Sequence, residues 1–333
     1  MTRKSGCTKC ANDRCLFDST ESILPSKFAV VTNETREGEG LWESCEYCGL
    51  VINRNGVAPD NVEAFYNETY QDKNSFQRGD KISARQHFDI RLKSIKPRAE
   101  YLSNHINEEA IVFELGAGSG ELLALLKPKA RKCVGNELCQ EFVDFMQSEL
   151  DISASSEDYL NITPAEKWDL AISIGTLDHI FNTRRYVEKL FSDIKPGGLL
   201  YVEVPNDNQA LKNFVPGAHA GAFRRFMYQT AHYYSFTFDT LRRLLTEVGF
   251  CIEDEFSRHD YSLINYLNWC LTGKPQTSII EAKSNSTIFH GGSPFEAEMN
   301  SLLGEADMRF YSAITKHKFG ESICMLVRKP RKL

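Results

Sequence analysis

The sequence predicts an α/β protein, with a largely parallel sheet covered by helices on both faces, preceded by a small cysteine-rich module. Two observations predict the sheet: short apolar runs alternate with helical patterns through residues 106–333, and a glycine turn joins the first run to its helix. Five cysteines within the first 48 residues predict the module. The chain of 333 residues then divides into a module at 1–55, a helical linker or lid at 56–105 and an α/β domain at 106–333.

The predicted strands and helices follow one another in a regular order. Strands are expected at IVFEL (111–115), RKCVGNE (131–137), WDLAISIG (168–175), LLYVEVP (199–205), CIEDEF (251–256) and SICMLVRK (322–329). Helices are expected at ARQHFDIRLKSI (84–95), ELLALLKP (121–128), LCQEFVDFMQSEL (138–150), TRRYVEKLFSDIKPGG (183–198) and FTFDTLRRLLTEVGF (236–250). Residues 257–320 interrupt the alternation with helices near 261–271 and 294–314, and this insertion is where substrate specificity is expected.

The segment VFELGAGSGELL (112–123) carries the central motif. Its three glycines let the backbone turn sharply between a strand and a helix, so that a ligand can approach the main chain and the helix N-terminus. A nicotinamide dinucleotide site needs G-x-G-x-x-G, but Glu121 stands where the third glycine would be. Glu137 follows the second strand, where its carboxylate can accept hydrogen bonds from ribose hydroxyls. A fortuitous glycine turn is the alternative interpretation.

These segments together resemble the class I S-adenosylmethionine-dependent methyltransferases. VFELGAGSG, VGNE, SSEDYLN, WDLAISIGTLDHI and KPGGLLYVEVP match five of the family's motifs in order. The resemblance implies a Rossmann-like sheet of seven strands, helices on both faces and an antiparallel last strand. It also implies cofactor contacts from Glu114, Gly116, Ala117, Gly118, Gly120, Glu137, Leu138, Asp158, Tyr159 and Ile174.

The cysteines near the N-terminus form two C-x2-C pairs, Cys7 with Cys10 and Cys45 with Cys48. Each pair can present two thiolates to one metal, and two pairs complete a tetrahedral site for structural Zn²⁺, in a small zinc-ribbon-like module. Cys15 is an alternative to Cys7. A redox or iron–sulfur role, and thiols without a ligand, also remain open.

The segment SCEYCGLVINRNGVAPDNVEAFYNETY resembles the N-terminal region of zinc-containing small-molecule methyltransferases, including sugar C-methyltransferases. In that comparison Tyr66 and Tyr70 match paired tyrosines, which implies that they close over the cofactor or the substrate. The alternative interpretation is that they are aromatic residues of a surface helix. Sugar C-methyltransferases usually carry a larger C-terminal domain, so their substrate is not transferred to this chain.

His179 and His232 are the candidate catalytic bases. His179 follows the strand 168–175, at the sheet edge where open α/β sheets build their sites, and imidazole titrates near neutral pH. Asp178 beside it can orient or compete with it. Tyr233 and Tyr234 are candidates for one wall of a substrate pocket. For all of these residues a structural role, in capping or packing, is the alternative.

Composition narrows the class of partner. The net charge is −6, and the first hundred residues hold 15 basic and 15 acidic side chains, which weighs against a nucleic-acid partner. The sequence contains no apolar run of about 18 residues that would predict a membrane span, and no apolar leader is seen, so a cytoplasmic protein is expected.

The favoured function is methyl transfer to a small-molecule O, N or C nucleophile. An RNA base methyltransferase and a non-catalytic zinc-binding scaffold are the alternatives, and the oligomeric state stays open.

Overall fold

The computed structural model describes residues 28–36, 38–46, 48–55, 82–276 and 288–331. The strands are β1 (Phe28–Thr35), β2 (Gly38–Cys45), β3 (Val51–Asn53), β4 (Ile111–Leu115), β5 (Lys132–Asn136), β6 (Ser153–Ser155), β7 (Trp168–Ile174), β8 (Ile194–Pro205), β9 (Tyr234–Ser235), β10 (Cys251–Arg258) and β11 (Ser322–Arg328). The α-helices are α1 (Ala84–Ser103), α2 (Glu121–Leu126), α3 (Gln140–Glu149), α4 (Thr183–Asp193), α5 (Ala210–Phe214), α6 (Gly217–Met227), α7 (Phe238–Val248), α8 (Leu263–Thr272) and α9 (Pro294–Lys316).

Seven strands form one mixed sheet in the order β10-β11-β8-β7-β4-β5-β6. The pairs among β8, β7, β4, β5 and β6 are parallel, whereas β11 runs antiparallel to both β8 and β10. Every residue of β4 is buried, because helices cover both faces of a parallel sheet and leave no face for polar side chains. The predicted seven-stranded sheet and its antiparallel last strand are confirmed.

Two apolar layers bury the two faces of the sheet. On one face α1, α2 and α3 pack against the strands through Leu102, Leu122, Leu123, Leu126, Val143 and Met146. On the other face α4 and α7 pack through Val187, Leu190, Leu241, Leu244 and Leu245. The side chains recur at the three- and four-residue spacing of an amphipathic helix, which is the pattern that predicted these elements.

One predicted helix is too long. The pattern predicted a helix over 183–198 that is ended by Pro-Gly-Gly, but α4 already ends at Asp193 and Ile194 is extended with ψ 141°. Pro196 explains the difference, because a proline disfavours helical backbone at the residue before it, here Lys195. The chain therefore enters β8 several residues before the apolar run at 199–205.

A second sheet joins the N-terminal region to the α/β domain. Its strands are antiparallel, in the order β1-β2-β3-β9, and β9 lies in the segment that follows His232. The N-terminal strands also contribute Cys45, Leu50 and Ile52 to the core cluster that contains Tyr233 and Tyr234. The described part of the predicted module at 1–55 thus shares both a sheet and a core with the α/β domain.

The region between β10 and β11 holds α8 and α9, close to the two helices predicted there. Ser293 begins α9 with a capping box in which its hydroxyl accepts from the Glu296 N–H and the Glu296 carboxylate accepts from the Ser293 N–H. Among the helices that the structure describes, none combines the length and the apolar character needed to cross a bilayer.

Candidate active site

The glycine loop lies between β4 and α2, at the carboxyl end of the central strand. Gly116, Gly118 and Gly120 have φ values of +74°, +54° and +83°, which side chains rarely adopt. A Cβ at Gly116 would overlap the Oγ1 of Thr176, and one at Gly120 would lie 2.6 Å from Met146 Cγ. Gly118 differs, because the atom nearest to a Cβ at this position would be His87 Cε1, at 3.5 Å. The loop is therefore tightly packed at its two ends, whereas its middle has room for a Cβ in van der Waals contact with His87.

Glu137 stands directly after β5 and contacts the middle of this loop. One carboxylate oxygen accepts the N–H of Gly118 at 3.0 Å, and the other accepts the N–H of Cys139 at 3.0 Å. The N–H groups of Gly116 and Ala117 donate to the carbonyl oxygen of Asn136 at 2.8 and 3.0 Å. The fold thus brings the glycine loop and the acid at 137 together, as expected for the two walls of one crevice.

Three carboxylates surround the loop: Glu114 on β4, Glu121 at the start of α2, and Glu137. Burial and the neighbouring charge of Glu121 raise the pKa of Glu114 well above its usual range. Its Oε2 accepts no hydrogen bond from any residue in the described ranges. Arg91 of α1 forms an ion pair with Glu121. A cation bound beside Glu114 would favour the charged form of this carboxylate, so the crevice suits a cationic ligand better than the pyrophosphate of a dinucleotide.

Asp178, His179 and His232 form a second cluster beyond β7. Asp178 and His179 lie on the 3-10 helix Leu177–His179, and His232 lies shortly before β9. The Asp178 Oδ2 is 3.5 Å from His179 Nε2 and 3.6 Å from His232 Nε2. The two imidazole rings meet edge to face with centroids 4.3 Å apart. The two predicted catalytic histidines, 53 residues apart in sequence, are therefore neighbours in space.

This cluster is almost closed to solvent. Asp178 is 0% exposed and His179 is 8% exposed, while the side chain of His232 is 14% exposed. Burial raises the pKa of Asp178, although the nearby His179 opposes the effect. Burial, together with the neighbouring His179 and Arg36, holds the pKa of His232 well below its usual value.

Comparison with known proteins agrees with this geometry. Residues 86–255, about half of the chain, match the family described as a methyltransferase domain. Together with the sheet order, the glycine loop and the acid at 137, this match decides the family. The chain belongs to the class I S-adenosylmethionine-dependent methyltransferases.

Curated relatives of the methyltransferase include the ubiquinone biosynthesis O-methyltransferase of Coxiella burnetii, which is 25% identical over 125 residues. That alignment covers 36% of this chain and 51% of the relative, so the chain spans about half the length of the curated relatives that it matches.

Solved structures with a similar fold include a methyltransferase from Archaeoglobus fulgidus, with 15% identity and a TM-score of 0.46. Its alignment covers 73% of this chain and 99% of that one. Another is an N-methyltransferase from Bradyrhizobium japonicum in complex with S-adenosylhomocysteine, with 14% identity, a TM-score of 0.39 and coverage of 82% and 96%.

The residues of the crevice fit the methyltransferase cofactor. S-adenosylmethionine carries a sulfonium and an α-ammonium, and the buried Glu114 carboxylate with its unsatisfied oxygen is suited to a cation. Glu137 holds its carboxylate against the Gly118 N–H, in the middle of the glycine loop, and a carboxylate there could accept from a sugar hydroxyl. When bound, the cofactor would supply the activated methyl group, and Glu114 and Glu137 are the side chains that would hold it.

Two predicted cofactor residues, Asp158 and Tyr159, follow β6 in the chain and contact α4. Asp158 is exposed and caps the 3-10 helix Tyr159–Asn161 by accepting the Leu160 N–H at 2.9 Å. It also accepts from the Tyr186 hydroxyl at 2.6 Å. The Tyr159 ring stacks on Phe113 in the core, with centroids 5.0 Å apart, and its hydroxyl donates to Asp193. The Tyr159 side chain therefore belongs to the core, because its ring stacks on Phe113 and its hydroxyl bonds to Asp193.

The other predicted residues are placed as follows. Leu138 and Ile174 are half-buried, directly after Glu137 and at the end of β7. Tyr233 and Tyr234 are both buried, and the Tyr234 hydroxyl donates to the Phe181 carbonyl oxygen at 2.6 Å. The Tyr233 ring packs edge to face on Phe181 with centroids 5.4 Å apart. Tyr66 and Tyr70 lie outside the described residues.

The predicted zinc ligands are described in part. Cys45 is buried at the end of β2 and Cys48 is half-buried, with a tight turn between them in which the Gly49 N–H donates to the Cys45 carbonyl oxygen at 2.8 Å. Gly49 has φ +74°, which allows the chain to turn back into β3. Cys7, Cys10 and Cys15 lie outside the described residues.

Sequence reasoning missed several side chains of the site. His87 and Arg91, on α1, reach the glycine loop: His87 Nδ1 lies 2.8 Å from the Ser119 hydroxyl, and Arg91 pairs with Glu121. Asn53 on β3 donates to the carbonyl oxygen of His232. The pair His87 and Arg91, four residues apart, lies on one helix face, and this spacing is the signal that could have pointed to a shared role.

Proposed function

We propose that this methyltransferase transfers the methyl group of S-adenosylmethionine to a small-molecule acceptor held against His179 and His232. The observation that carries the proposal is the position of the buried Asp178–His179–His232 cluster. It lies at the carboxyl end of β7, where open α/β sheets bind ligands, and two residues beyond Thr176, which packs on the glycine loop. Because these side chains are almost closed to solvent, a small molecule can reach them more readily than a macromolecule can.

The chemistry needs little from the enzyme beyond placement and activation of the acceptor. A lone pair of the acceptor attacks the methyl carbon, the carbon–sulfur bond breaks, and the electron pair remains on sulfur to give neutral S-adenosylhomocysteine. An acceptor hydroxyl or amine also loses a proton. The enzyme's task is to hold the nucleophile in line with the methyl group in a dry site, and His179 and His232 are proposed to contact it there.

The net charge of the chain and the names of its curated relatives support a small-molecule acceptor rather than RNA. The chain carries a net charge of −6, which disfavours binding of a polyanion such as RNA. The curated relatives are named for an O-methyl transfer in ubiquinone biosynthesis, which is small-molecule chemistry. Tyr233 and Tyr234 are proposed as the packed wall behind this acceptor.

The test is a transfer assay with methyl-labelled S-adenosylmethionine and the full chain. Low-mass metabolite fractions and total RNA are offered in parallel, and the label is expected in a low-mass product. His232→Ala is expected to lose this transfer, while His290→Ala, in an exposed loop, keeps it. Labelled RNA, with a yield that falls steeply as salt rises, would instead establish a nucleic-acid substrate.

We also propose that Cys45 and Cys48 bind a structural Zn²⁺ together with Cys7 and Cys10. The tight turn at Gly49 supports this, because it brings two cysteines three residues apart to the same end of β2. Elemental analysis tests it: Cys45→Ser or Cys48→Ser is expected to lower the zinc content by about one atom per chain. Cys251→Ser, at an exposed cysteine, is the matched control. An unchanged zinc content in both variants contradicts the proposal.

A further inference from the structure

The side chains of Asp178, His179 and His232 converge on one point. Each offers one atom that can ligate a metal, and these three atoms lie within 4.8 Å of one another. The carboxylate oxygen is 3.5 and 3.6 Å from the two imidazole Nε2 atoms. Ligands bound at about 2.1 Å to a tetrahedral metal are about 3.4 Å apart, so the spacing fits a coordination sphere with little adjustment.

The Asp178 carboxylate is the second, independent indication of a ligand. It is 0% exposed, and neither of its oxygens accepts a hydrogen bond from another residue in the described parts of the chain. A distance of 3.5 Å or more is beyond the usual 2.7–3.2 Å range for N–H···O bonds. Buried carboxylates in proteins are paired, hydrogen-bonded or bound to a metal, because an isolated buried charge costs several kcal/mol.

We infer that Asp178, His179 and His232 bind a divalent first-row transition-metal ion. Two imidazoles and one carboxylate are a donor set that such ions accept, and three protein ligands leave positions open for a water or a substrate oxygen. The site is therefore of the catalytic type, unlike a closed four-cysteine site.

The position of the site suggests a role for the cation in activating the acceptor. This role rests on the proposed methyl transfer. The cluster follows β7, and the neighbouring Thr176 packs on the glycine loop that holds the cofactor. An acceptor hydroxyl that binds at an open position of the metal becomes more acidic, so its proton leaves to water more readily. The cation then activates the acceptor in place of direct proton transfer to an imidazole. The acceptor class that this favours is a small molecule that attacks through oxygen.

The segment that carries His232 is held in place by bonds independent of any metal. The Tyr233 N–H donates to the Asp178 carbonyl oxygen at 2.8 Å, and the Asn53 amide donates to the His232 carbonyl oxygen at 3.0 Å. The three ligands thus come from two segments of chain that the backbone fixes against each other. A preformed site of this kind binds its ion without a folding step.

Mn²⁺ binding to the full chain tests the inference. Mn²⁺ is the probe because it prefers oxygen and nitrogen ligands and competes poorly for the N-terminal cysteines. Electron paramagnetic resonance of free Mn²⁺ during titration is expected to show one site per chain, with an affinity in roughly the micromolar range. Asp178→Asn and His232→Gln are expected to weaken binding by about 100-fold or more, since loss of a mere second-shell partner costs about 10–100-fold.

Two controls make the result decisive. Asp151→Asn removes a fully exposed acid and should leave Mn²⁺ binding unchanged. S-adenosylhomocysteine binding, measured on every variant, shows that the fold and the cofactor crevice are intact. Binding that is equally strong in Asp178→Asn, or weaker than about millimolar in the wild type, overturns the inference. The readout does not involve methyl transfer, so a wrong assignment of the acceptor would leave it unchanged.

Discussion

The side-chain amide of Asn53 donates a hydrogen bond to the carbonyl oxygen of His232 at 3.0 Å, and another to that of Thr230 at 3.3 Å. Asn53 ends β3, the strand that pairs with β9 and so ties the N-terminal sheet to the catalytic domain. The N–H of Asn53 also donates to the Tyr233 carbonyl oxygen at 2.9 Å. The N-terminal sheet therefore holds the segment that carries a proposed catalytic histidine.

Replacing Asn53 should disturb catalysis more than cofactor binding. In Asn53→Ala the carbonyl groups of Thr230 and His232 lose their donor, and the imidazole of His232 loses its fixed position. We expect kcat to fall about tenfold or more, by analogy with other supporting hydrogen bonds at active sites, with S-adenosylhomocysteine affinity unchanged. Thr32→Ala is the control, because within the described ranges the Thr32 hydroxyl bonds only to the main chain of Glu34, two residues away, in an exposed position. A loss of cofactor affinity equal to the loss in kcat would indicate general unfolding instead.

Glu137 should govern affinity for the cofactor. Its carboxylate stands beside the middle of the glycine loop, and the N–H groups of Gly118 and Cys139 hold it in place. A hydrogen bond to a charged group contributes about 1.5–3 kcal/mol, so Glu137→Gln is expected to raise the Kd for S-adenosylhomocysteine by about 10- to 100-fold. Calorimetry gives the Kd, and Glu149→Gln, at an exposed acid on α3, should leave it unchanged. An unchanged Kd in Glu137→Gln would remove the acid from the cofactor site.

Gly116 should tolerate no side chain. Its φ is +74°, and a Cβ there would overlap the Oγ1 of Thr176. Gly116→Ala is therefore expected to destabilise the fold by about 1–3 kcal/mol, measured by urea unfolding, and to abolish cofactor binding. Gly221→Ala is the matched control, because a Cβ at that helical position meets nothing within 4 Å, and it should stabilise by about 0.5–1 kcal/mol.

A double variant separates the two causes of strain at position 116. Adding Thr176→Ala to Gly116→Ala removes the overlaps with the Thr176 Oγ1 and Cγ2, but it leaves the Thr176 Cβ at 2.9 Å and the backbone conformation unfavourable. The double variant should therefore recover only part of the lost stability. Full recovery would show that backbone strain at this loop is negligible.

Local features of the site were predictable from sequence, and long-range ones were not. The glycine loop and Glu137 lie at the ends of consecutive parallel strands, so the pattern of strand, turn and helix alone places them at one edge. The contact between Asp178 and His232 depends on how the chain runs between β8 and β9, through α5 and α6. That segment has no strong hydrophobic periodicity, so its path could not be predicted from the sequence. Each histidine was a candidate separately, but their shared carboxylate was visible only in three dimensions.

The pairing of β3 with β9 had no signal in the sequence either. The two strands are separated by about 180 residues, and β9 is only two residues long. Such a pairing is specified by the packing of Leu50 and Ile52 against Tyr233 and Tyr234 in a common core, since short strands have no periodicity to read. The predicted domain boundary at residue 55 was based on amino-acid composition, and composition gives no information on the pairing of β3 with β9.

His87 should make the stability of the fold depend on pH. Its ring lies beside the glycine loop, and burial lowers the pKa of His87 from 6.5 to about 4, with Glu121 opposing the shift. The unfolded state therefore binds a proton between pH 6.5 and 4 while the folded state does not. The stability that neutral His87 provides is complete above pH 6.5 and is lost as the pH falls towards 4.

The measurement is urea unfolding of the wild type and His87→Asn at pH 7 and at pH 5. Lowering the pH is expected to destabilise the wild type relative to the variant by up to about 2 kcal/mol, because only the wild type gains a proton on unfolding at this position. His290→Asn, in an exposed loop, should follow the wild type at both values. If wild type and His87→Asn lose stability in parallel, the folded protein takes up the proton over the same pH range as the unfolded chain, and burial does not lower the pKa of His87. The ring beside Ser119 would then be a cation next to the glycine loop at pH 5, where it would repel the cationic cofactor that is proposed to bind there.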